Sequence, residues 1–265
     1  MTTIKLFFWQ TSCVYSIESI QKNLKGIVEN IRSYKRYLII NVLLPSFLLF
    51  SLYASLDNIL QNHSINKDYD KVHNSQYNFQ SSKLTIYQKA MDVNNPVTRK
   101  YALQLAKNNP GSYNFKQVFS IYDDLINNWN YVNDPISMDL VSKASFSIDV
   151  GLTGDCDDYA ITMASLIECI GGRTRIISAT NGNSGHAYAE VHVGDQKKKQ
   201  ELIQFLNKRY GRFYKNKIAV HFSLDDVGDY WLNLDWTAKH PGGKYYKSDH
   251  ETIYYPTQNY YVMTK

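Results

Sequence analysis

The chain has 265 residues, of which 44% are hydrophobic and 20% are charged, and this composition excludes a disordered protein. The net charge of +5 is uneven, because residues 1–36 hold six basic and two acidic side chains and the remainder is almost neutral. The part of the chain after residue 36 has almost no basic excess of its own, which argues against nucleic acid as a partner. The three cysteines are too few for a disulfide framework.

Residues 37–56 form an uncharged, apolar stretch of 20 residues, about the length of a helix that spans a membrane. The basic residues before it place the N-terminus in the cytoplasm and the remainder outside, by the positive-inside rule. A cleaved signal peptide is disfavoured because the leader and the apolar stretch are both long, and a buried core helix is the other alternative. We therefore predict a single-pass protein with a cytoplasmic segment, a transmembrane helix, a polar stalk and a domain, over residues 1–36, 37–56, 57–84 and 85–265.

The domain opens with two predicted helices. Asn95 followed by Pro96 is typical of a helix start, and it leads into a helix over residues 97–107. Between Phe115 and Trp129 the apolar residues recur on one helical face, which predicts a second helix.

The segment Asp155–Gly172 predicts a third helix, with a cysteine in its first turn. Asp155 can cap the N-terminus, and a glycine pair is typical of the far end. Cys156 occupies a position where the helix dipole favours a thiolate and where free backbone N–H groups can hold an oxyanion. The neighbouring aspartates oppose the thiolate, so an active thiol needs a cationic partner. The alternative is that the cysteine only packs in the core as a small hydrophobic side chain, as most free cysteines do. We expect this structural role for Cys169.

Two later segments alternate polar and apolar residues, which predicts two strands with polar faces. In the strand His186–Val193, the histidine lies on the face opposite the alanines and valines. In the strand Tyr230–Thr237, Asp235 lies on the polar face. Side by side, the carboxylate would orient the imidazole and stabilise its charged form, and that cation could activate Cys156.

Three motifs lie in these segments: Gly-Asp-Cys-Asp-Asp-Tyr-Ala, Gly-His-Ala-Tyr-Ala-Glu-Val and Trp-Leu-Asn-Leu-Asp-Trp-Thr. Their order resembles that of the transglutaminase-like superfamily, of papain-like fold, over about residues 85–240. The resemblance implies an α+β core in which a catalytic helix packs on an antiparallel sheet. It also implies a catalytic triad of Cys156, His186 and Asp235.

The chain departs from the usual pattern of that superfamily in three places. Tyr188 stands where tryptophan is frequent, and Trp236 stands where proline is frequent. A further predicted helix within residues 195–216 separates the histidine strand from the aspartate strand. None of these departures removes a catalytic group.

Two metal sites are alternatives to the triad. His186 and His192 share a strand face, but alternating residues place them more than about 10 Å apart, too far for one zinc ion to join. Asp155, Asp157 and Asp158 lie at a helix start and not in a recognisable calcium loop. We therefore expect neither a metal nor another cofactor.

The sequence thus predicts a membrane-anchored, thiol-dependent acyl-transfer enzyme that acts on a peptide or protein amide outside the cytoplasm. Water as the acceptor would make it a peptidase or amidase, and an amine would make it a transglutaminase. The alternative is a catalytically inactive binding module of papain-like fold at the cell surface, since folds can outlive their chemistry.

Overall fold

The computed structural model describes residues 3–135, 138–213 and 217–264. The chain divides into two compact units, Met1–Asn74 and Ser75–Lys265, and the boundary falls inside a helix.

The first unit is helical. Helix α1 (Thr3–Leu38) leads through a π-helical turn, Ile39–Leu43, into helix α2 (Leu44–Ala90), whose last residues belong to the second unit. Pro45 follows the π-helical turn and has no N–H to donate to the preceding turn, which accounts for the local change in hydrogen-bond spacing.

One stretch of this unit, Lys22–Leu56, is long and apolar enough to cross a membrane, with a mean hydropathy of 1.9 in its most apolar window. It contains the predicted span 37–56, and that window is not buried. A signal sequence near an N-terminus meets the same criteria, so the helix is a candidate for either role.

The stretch 57–84, predicted as a polar stalk, is part of α2 and helical throughout. The sequence there is polar but contains neither glycine nor proline, the residues that most strongly interrupt a helix. A stalk over these residues would therefore be helical.

The second unit begins with the end of α2, where Leu84, Tyr87 and Ala90 are buried on one face. Helix α3 (Pro96–Ala106) follows, and its cap Asn95 accepts a hydrogen bond from the Val97 N–H at 2.9 Å. Helix α4 (Phe115–Asn128) buries the apolar face that its spacing predicts.

A short connection then returns the chain to the centre of the domain. Strand β1 (Asn130–Tyr131) pairs in parallel with β2 (Thr153–Gly154), and helix α5 (Ala144–Asp149) lies between them in the chain. Strand β2 ends at Gly154, directly before the cap residue Asp155, so this pairing fixes where the next helix starts.

The central element is helix α6 (Cys156–Cys169), which packs on an antiparallel six-stranded sheet in the order β5-β6-β4-β3-β7-β8. The strands β3 to β8 and helix α7, which lies between β4 and β5 in the chain, have these bounds: β3 Thr174–Asn181, β4 Ser184–Gly194, α7 Gln196–Tyr210, β5 Phe222–Leu224, β6 Tyr230–Asn233, β7 His250–Tyr255 and β8 Tyr260–Thr264.

The alternation along β4 separates the two faces of the sheet. Its alanines and valines join the buried core with α6, while Tyr188 joins a smaller cluster on the opposite face with Tyr245 and Tyr246. The predicted α+β fold, with the cysteine helix packed on an antiparallel sheet, is confirmed.

Candidate active site

Cys156 is the first residue of α6 and is partly exposed. Asp155 caps the helix, because its Oδ1 accepts a hydrogen bond from the Asp157 N–H at 3.2 Å. In return, Asp158 Oδ2 accepts from the Asp155 N–H at 3.4 Å. This capping box fixes the entry of the chain into the helix. First-turn N–H groups beyond those used by the cap can donate to an anion beside the thiol.

His186 and Asp235 lie side by side, as the strand faces predict. His186 Nε2 lies 2.9 Å from Asp235 Oδ2, and the Asp235 side chain is fully buried. The other carboxylate oxygen accepts from the Thr237 N–H at 3.0 Å, and the Asp235 N–H donates to Asn233 Oδ1 at 2.9 Å. Two hydrogen bonds therefore hold the carboxylate, and a third holds the backbone of the same residue.

Asp235 does not lie on strand β6 itself, which ends at Asn233. It is instead the cap of a 3₁₀ turn, Trp236–Ala238. The alternation of polar and apolar residues continues to Thr237, past the point where the chain leaves the sheet. The sequence therefore predicts a strand that is too long, although it places the Asp235 carboxylate on the side of the sheet that carries His186.

The Cys156 thiol lies beside the His186 ring, close enough to raise the pKa of the imidazole. Because Nε2 is engaged by Asp235, Nδ1 is the nitrogen left for the thiol. Burial lowers the pKa of His186, but hydrogen bonding to Asp235 and Cys156 and the negative charges of those two groups outweigh it and raise the pKa to about 9. The imidazolium that Cys156 needs is thus favoured at neutral pH.

The aspartates beside the thiol do not all carry charge. Burial raises the pKa of Asp157 to about 9, with further contributions from a hydrogen bond to Asp155 and from the charges of Asp155, Asp158 and Cys156. Burial also raises the pKa of Asp158, although hydrogen bonds from Ser142 and Asp155 oppose the rise. A protonated Asp157 removes one of the negative charges that oppose a thiolate.

Oxygen atoms of Asp155, Asp157 and Asp158 lie within 4.8 Å of one another, an arrangement that a hard cation such as Ca²⁺ could use. Asp155 and Asp158 are already engaged in helix capping. Asp157 Oδ1 is buried and has no hydrogen-bond partner within residues 3–135, 138–213 and 217–264. The cluster therefore offers a cation one oxygen that is not already engaged, and helix capping accounts for the other two side chains.

Tyr131 is a site residue that the sequence prediction missed. Its side chain lies close enough to the Cys156 thiol for the charge of a thiolate to raise the tyrosine pKa, and its ring stacks on Trp236 with the centroids 4.9 Å apart. It lies in a two-residue strand outside the three motifs, where neither periodicity nor a motif could have marked it.

The other candidate histidine and cysteine, His192 and Cys169, lie outside this group. His192 Nε2 is 2.8 Å from Asp229 Oδ2, so the two histidines of β4 have separate carboxylate partners. Cys169 lies at the far end of α6, where its thiol donates to the Val93 carbonyl at 3.2 Å.

Three solved structures are similar to parts of the chain. A candidate cysteine protease from Cytophaga hutchinsonii has 22% identity and a TM-score of 0.29, covering 35% of this chain and 32% of its own. A candidate protease from Parabacteroides distasonis has 14% identity and a TM-score of 0.34, covering 42% and 24%. LapG of Legionella pneumophila, solved with calcium bound, has 17% identity and a TM-score of 0.30, covering 58% and 82%.

The chain thus spans about a third of the Cytophaga protein and about a quarter of the Parabacteroides protein. All three TM-scores lie below 0.5, so these likenesses carry no argument about activity. Among curated proteins, no sequence matches this chain.

A family assignment comes from the sequence. Residues 99–205 match the family model of the transglutaminase-like superfamily, a range that contains Cys156 and His186 and ends before Asp235. At the level of the family, this match supports a thiol-dependent enzyme, a cysteine hydrolase or acyltransferase. Residues 99–205 of the chain are therefore similar to the core domain of the transglutaminase-like superfamily.

Proposed function

We propose that this protein is a membrane-anchored acyl-transfer enzyme that uses Cys156, His186 and Asp235 on a peptide or protein amide. One observation carries the proposal: the Cys156 thiol lies beside the His186 ring, and Nε2 of that ring lies 2.9 Å from the buried Asp235 carboxylate. A nucleophile, a base and an orienting carboxylate in that order are the parts of a thiol triad.

In the proposed reaction, the Cys156 sulfur attacks the carbonyl carbon, and the π electrons of the C=O bond move to oxygen. The oxyanion then reforms the carbonyl as the C–N bond breaks, and His186 gives its proton to the departing amine. A thioester remains on Cys156. His186, now neutral, takes a proton from the acceptor as it attacks the thioester, and the thiol is released.

The acceptor decides between two reactions of the same site. Water would release an acid, as in a peptidase or amidase, and a primary amine would form a new amide, as in a transglutaminase. We favour water, because no feature for binding an amine acceptor was found in the sequence.

We further propose the domain order inferred from the sequence: residues 1–36 in the cytoplasm, 37–56 across the membrane, 57–84 as a stalk and 85–265 as the catalytic domain outside. The apolar helix Lys22–Leu56 and the basic residues before the span support this arrangement. The substrate would then be an extracytoplasmic peptide or protein. Nucleic acid is not proposed as a partner.

The thiol can be tested without a known substrate. The full chain in detergent is treated with iodoacetamide at pH 7, and the modification of each cysteine is followed by peptide mass spectrometry. We expect Cys156 to react at least about ten times faster than Cys169, because only Cys156 has a helix N-terminus and an imidazolium beside it. Cys169 is an internal control, since it is also partly exposed and lies on the same helix.

The variant His186→Gln should remove most of that difference. Equal reactivity of the two cysteines in the wild-type chain, together with no acylation of Cys156 by p-nitrophenyl acetate, would contradict the proposal. That result would favour the inactive binding module.

The acceptor is tested with fluorescein-labelled casein, in the presence and absence of a biotinylated primary amine. Release of labelled peptides that is lost in Cys156→Ala supports hydrolysis, whereas Cys156-dependent attachment of biotin to casein supports transamidation. The topology is tested by fusing alkaline phosphatase, which is active only outside the bacterial cytoplasm, to the C-terminus. An inactive fusion that is nevertheless expressed would contradict the proposed orientation.

A further inference from the structure

Besides His186, the thiol of Cys156 has a second neighbour, the hydroxyl-bearing side chain of Tyr131, which has no role in the triad. Tyr131 pairs with Gly154, two residues before Cys156, and its side chain lies close enough to the Cys156 thiol for the charge of a thiolate to raise the tyrosine pKa. Tyr131 is 41% exposed, so its side chain borders the open side of the site, from which a substrate would approach.

Strand β1 holds the Tyr131 backbone against the segment that enters α6. The Asn130 N–H donates to the Leu152 carbonyl at 2.8 Å, and the Val132 N–H donates to the Gly154 carbonyl at 3.0 Å. Trp129 Nε1 reaches the same Gly154 carbonyl at 3.1 Å. Three hydrogen bonds thus fix the residues around Tyr131 to Leu152 and Gly154, in the segment that leads into Cys156.

The ring of Tyr131 is held from the side of the aspartate. It stacks on Trp236 at an angle of 25°, and Trp236 directly follows Asp235. The Tyr131 side chain is therefore fixed by the segment that carries the nucleophile and by the segment that carries the orienting carboxylate. A hydroxyl held in this way is positioned for a task at the reacting atoms.

We propose that the Tyr131 hydroxyl donates a hydrogen bond to the oxyanion that forms when Cys156 attacks a carbonyl. This inference rests on the proposed function, and it makes Tyr131 a fourth catalytic residue. A donor already beside the sulfur can reach the oxygen of a carbon that has just bonded to that sulfur. An oxyanion hole of this kind stabilises charge that exists only in the transition state and the intermediate.

The proton stays on the tyrosine throughout. Attack forms the S–C bond and moves an electron pair to oxygen, Tyr131 donates to that oxygen, and collapse breaks the bond to the leaving group. Partial burial, the negative charges of Cys156, Asp155 and Asp157 and the hydrogen bond to the thiol raise the pKa of Tyr131 to about 12. The hydroxyl therefore remains a donor at neutral pH.

The test compares two small reagents that react at the same thiol. Acylation by p-nitrophenyl acetate passes through a tetrahedral oxyanion, whereas alkylation by iodoacetamide displaces iodide and forms none. In the full chain, Tyr131→Phe should slow acylation of Cys156 by about tenfold or more, with the rate of alkylation unchanged. The stacked ring is retained in this variant.

The matched control is Tyr260→Phe. Tyr260 is 45% exposed and stacks on Tyr255 at 4.3 Å, but it lies on β8, outside the group around Cys156. This variant should leave both rates unchanged. An unchanged acylation rate in Tyr131→Phe would overturn the inference, as would an equal fall of both rates, which would assign Tyr131 to the reactivity of the thiol or to folding.

Failure of the proposed function would look different from failure of this inference. If the thiol has no catalytic role, p-nitrophenyl acetate does not acylate Cys156 of the wild-type chain, and both proposals fall. If the wild-type chain is acylated and Tyr131→Phe matches it, only the role of Tyr131 is wrong.

Discussion

Oδ2 of Asp235 lies 2.9 Å from Nε2 of His186 and is shielded from solvent together with the rest of its side chain. The carboxylate cannot turn away without losing the hydrogen bond that its Oδ1 accepts from the Thr237 N–H. The ring is consequently held with its other nitrogen free for Cys156. This pairing determines both the orientation and the charge of the imidazole.

The first prediction concerns the protonation of His186. Its folded-state pKa of about 9 lies above the ordinary value of 6.5, so its pairing stabilises the fold below about pH 6.5, and this contribution is lost as the pH rises through 9. In Asp235→Asn the main partner of the imidazolium is lost while burial remains, so the pKa should fall towards or below 6.5. NMR titration of histidine-labelled protein measures it, with the resonance assigned from His186→Gln.

The matched control for this prediction is Asp229→Asn. Asp229 pairs with His192 at 2.8 Å, in the same arrangement but farther along β4. Its replacement should leave the titration of His186 unchanged. A wild-type His186 that titrates near 6.5 would contradict the argument that the buried carboxylate controls the ring.

The second prediction concerns Asp157. Its pKa is raised to about 9 in the folded state, so between about pH 4 and 9 the folded state binds more protons than the unfolded state. Stability contributed by this group therefore decreases as the pH rises. Asp157→Asn cannot ionise and can still donate to Asp155, so we expect it to stabilise the protein by roughly 1–3 kcal/mol at pH 8 and by almost nothing at pH 4.

Urea unfolding of both proteins at the two pH values measures this difference. Asp149→Asn, an exposed aspartate at the end of α5, should change stability at neither pH. A destabilised Asp157→Asn at pH 8 would mean that Asp157 is ionised and compensated, as it would be beside a bound cation.

The sequence was sufficient to predict α6 and β4, and physical signals at their ends explain why. Asp155 and the glycine pair mark the two ends of the helix, and strict alternation from His186 onwards marks the strand. Both signals are local, and tertiary contacts did not override them. Cys156 and His186 could therefore be placed on their elements without the fold.

Other features depend on contacts that a local pattern does not contain. Tyr131 meets the thiol only because a two-residue strand pairs with Gly154, more than twenty positions later in the chain. The pattern around Asp235 continues as a strand, but the backbone turns there to cap a 3₁₀ turn. The burial of Arg175 could not be predicted from the sequence either, because its partners come from four separate segments of the chain.

The third prediction concerns that buried arginine. Arg175 Nε lies 2.6 Å from Glu190 Oε2, directly across strands β3 and β4, and both side chains are almost completely buried. In Glu190→Gln, the amide oxygen can still accept from Ser223 and Tyr245, but the amide nitrogen would face the guanidinium as a second donor. The unpaired buried charge should cost about 3–5 kcal/mol of stability.

Urea unfolding checks this cost, with a surface ion pair as the control. Arg209 Nη2 and Asp123 Oδ2 are equally close at 2.6 Å, but both side chains are about one-third exposed. Asp123→Asn should therefore cost no more than about 1 kcal/mol. Similar losses for the two variants would contradict the view that burial makes the Glu190 carboxylate essential.

The fourth prediction concerns Gly154, the residue before the cap of α6. Its φ of +156° is one that other residues rarely adopt, and an added Cβ would overlap the Asp158 side chain. That side chain accepts hydrogen bonds from the Ser142 N–H at 2.7 Å and from the Asp155 N–H. Gly154→Ala should therefore disrupt the capping box and move Cys156 relative to His186.

We expect Gly154→Ala to lower both the melting temperature and the rate at which p-nitrophenyl acetate acylates Cys156. Gly151→Ala separates the two causes, because Gly151 also has a positive φ, +88°, but an added Cβ there meets no atom within 4 Å. This control should lose stability through backbone strain and retain its acylation rate per folded molecule. Equal acylation rates in the two folded variants would mean that the capping box can shift without displacing the thiol, and the position of Cys156 would then depend on the packing of α6 against β4.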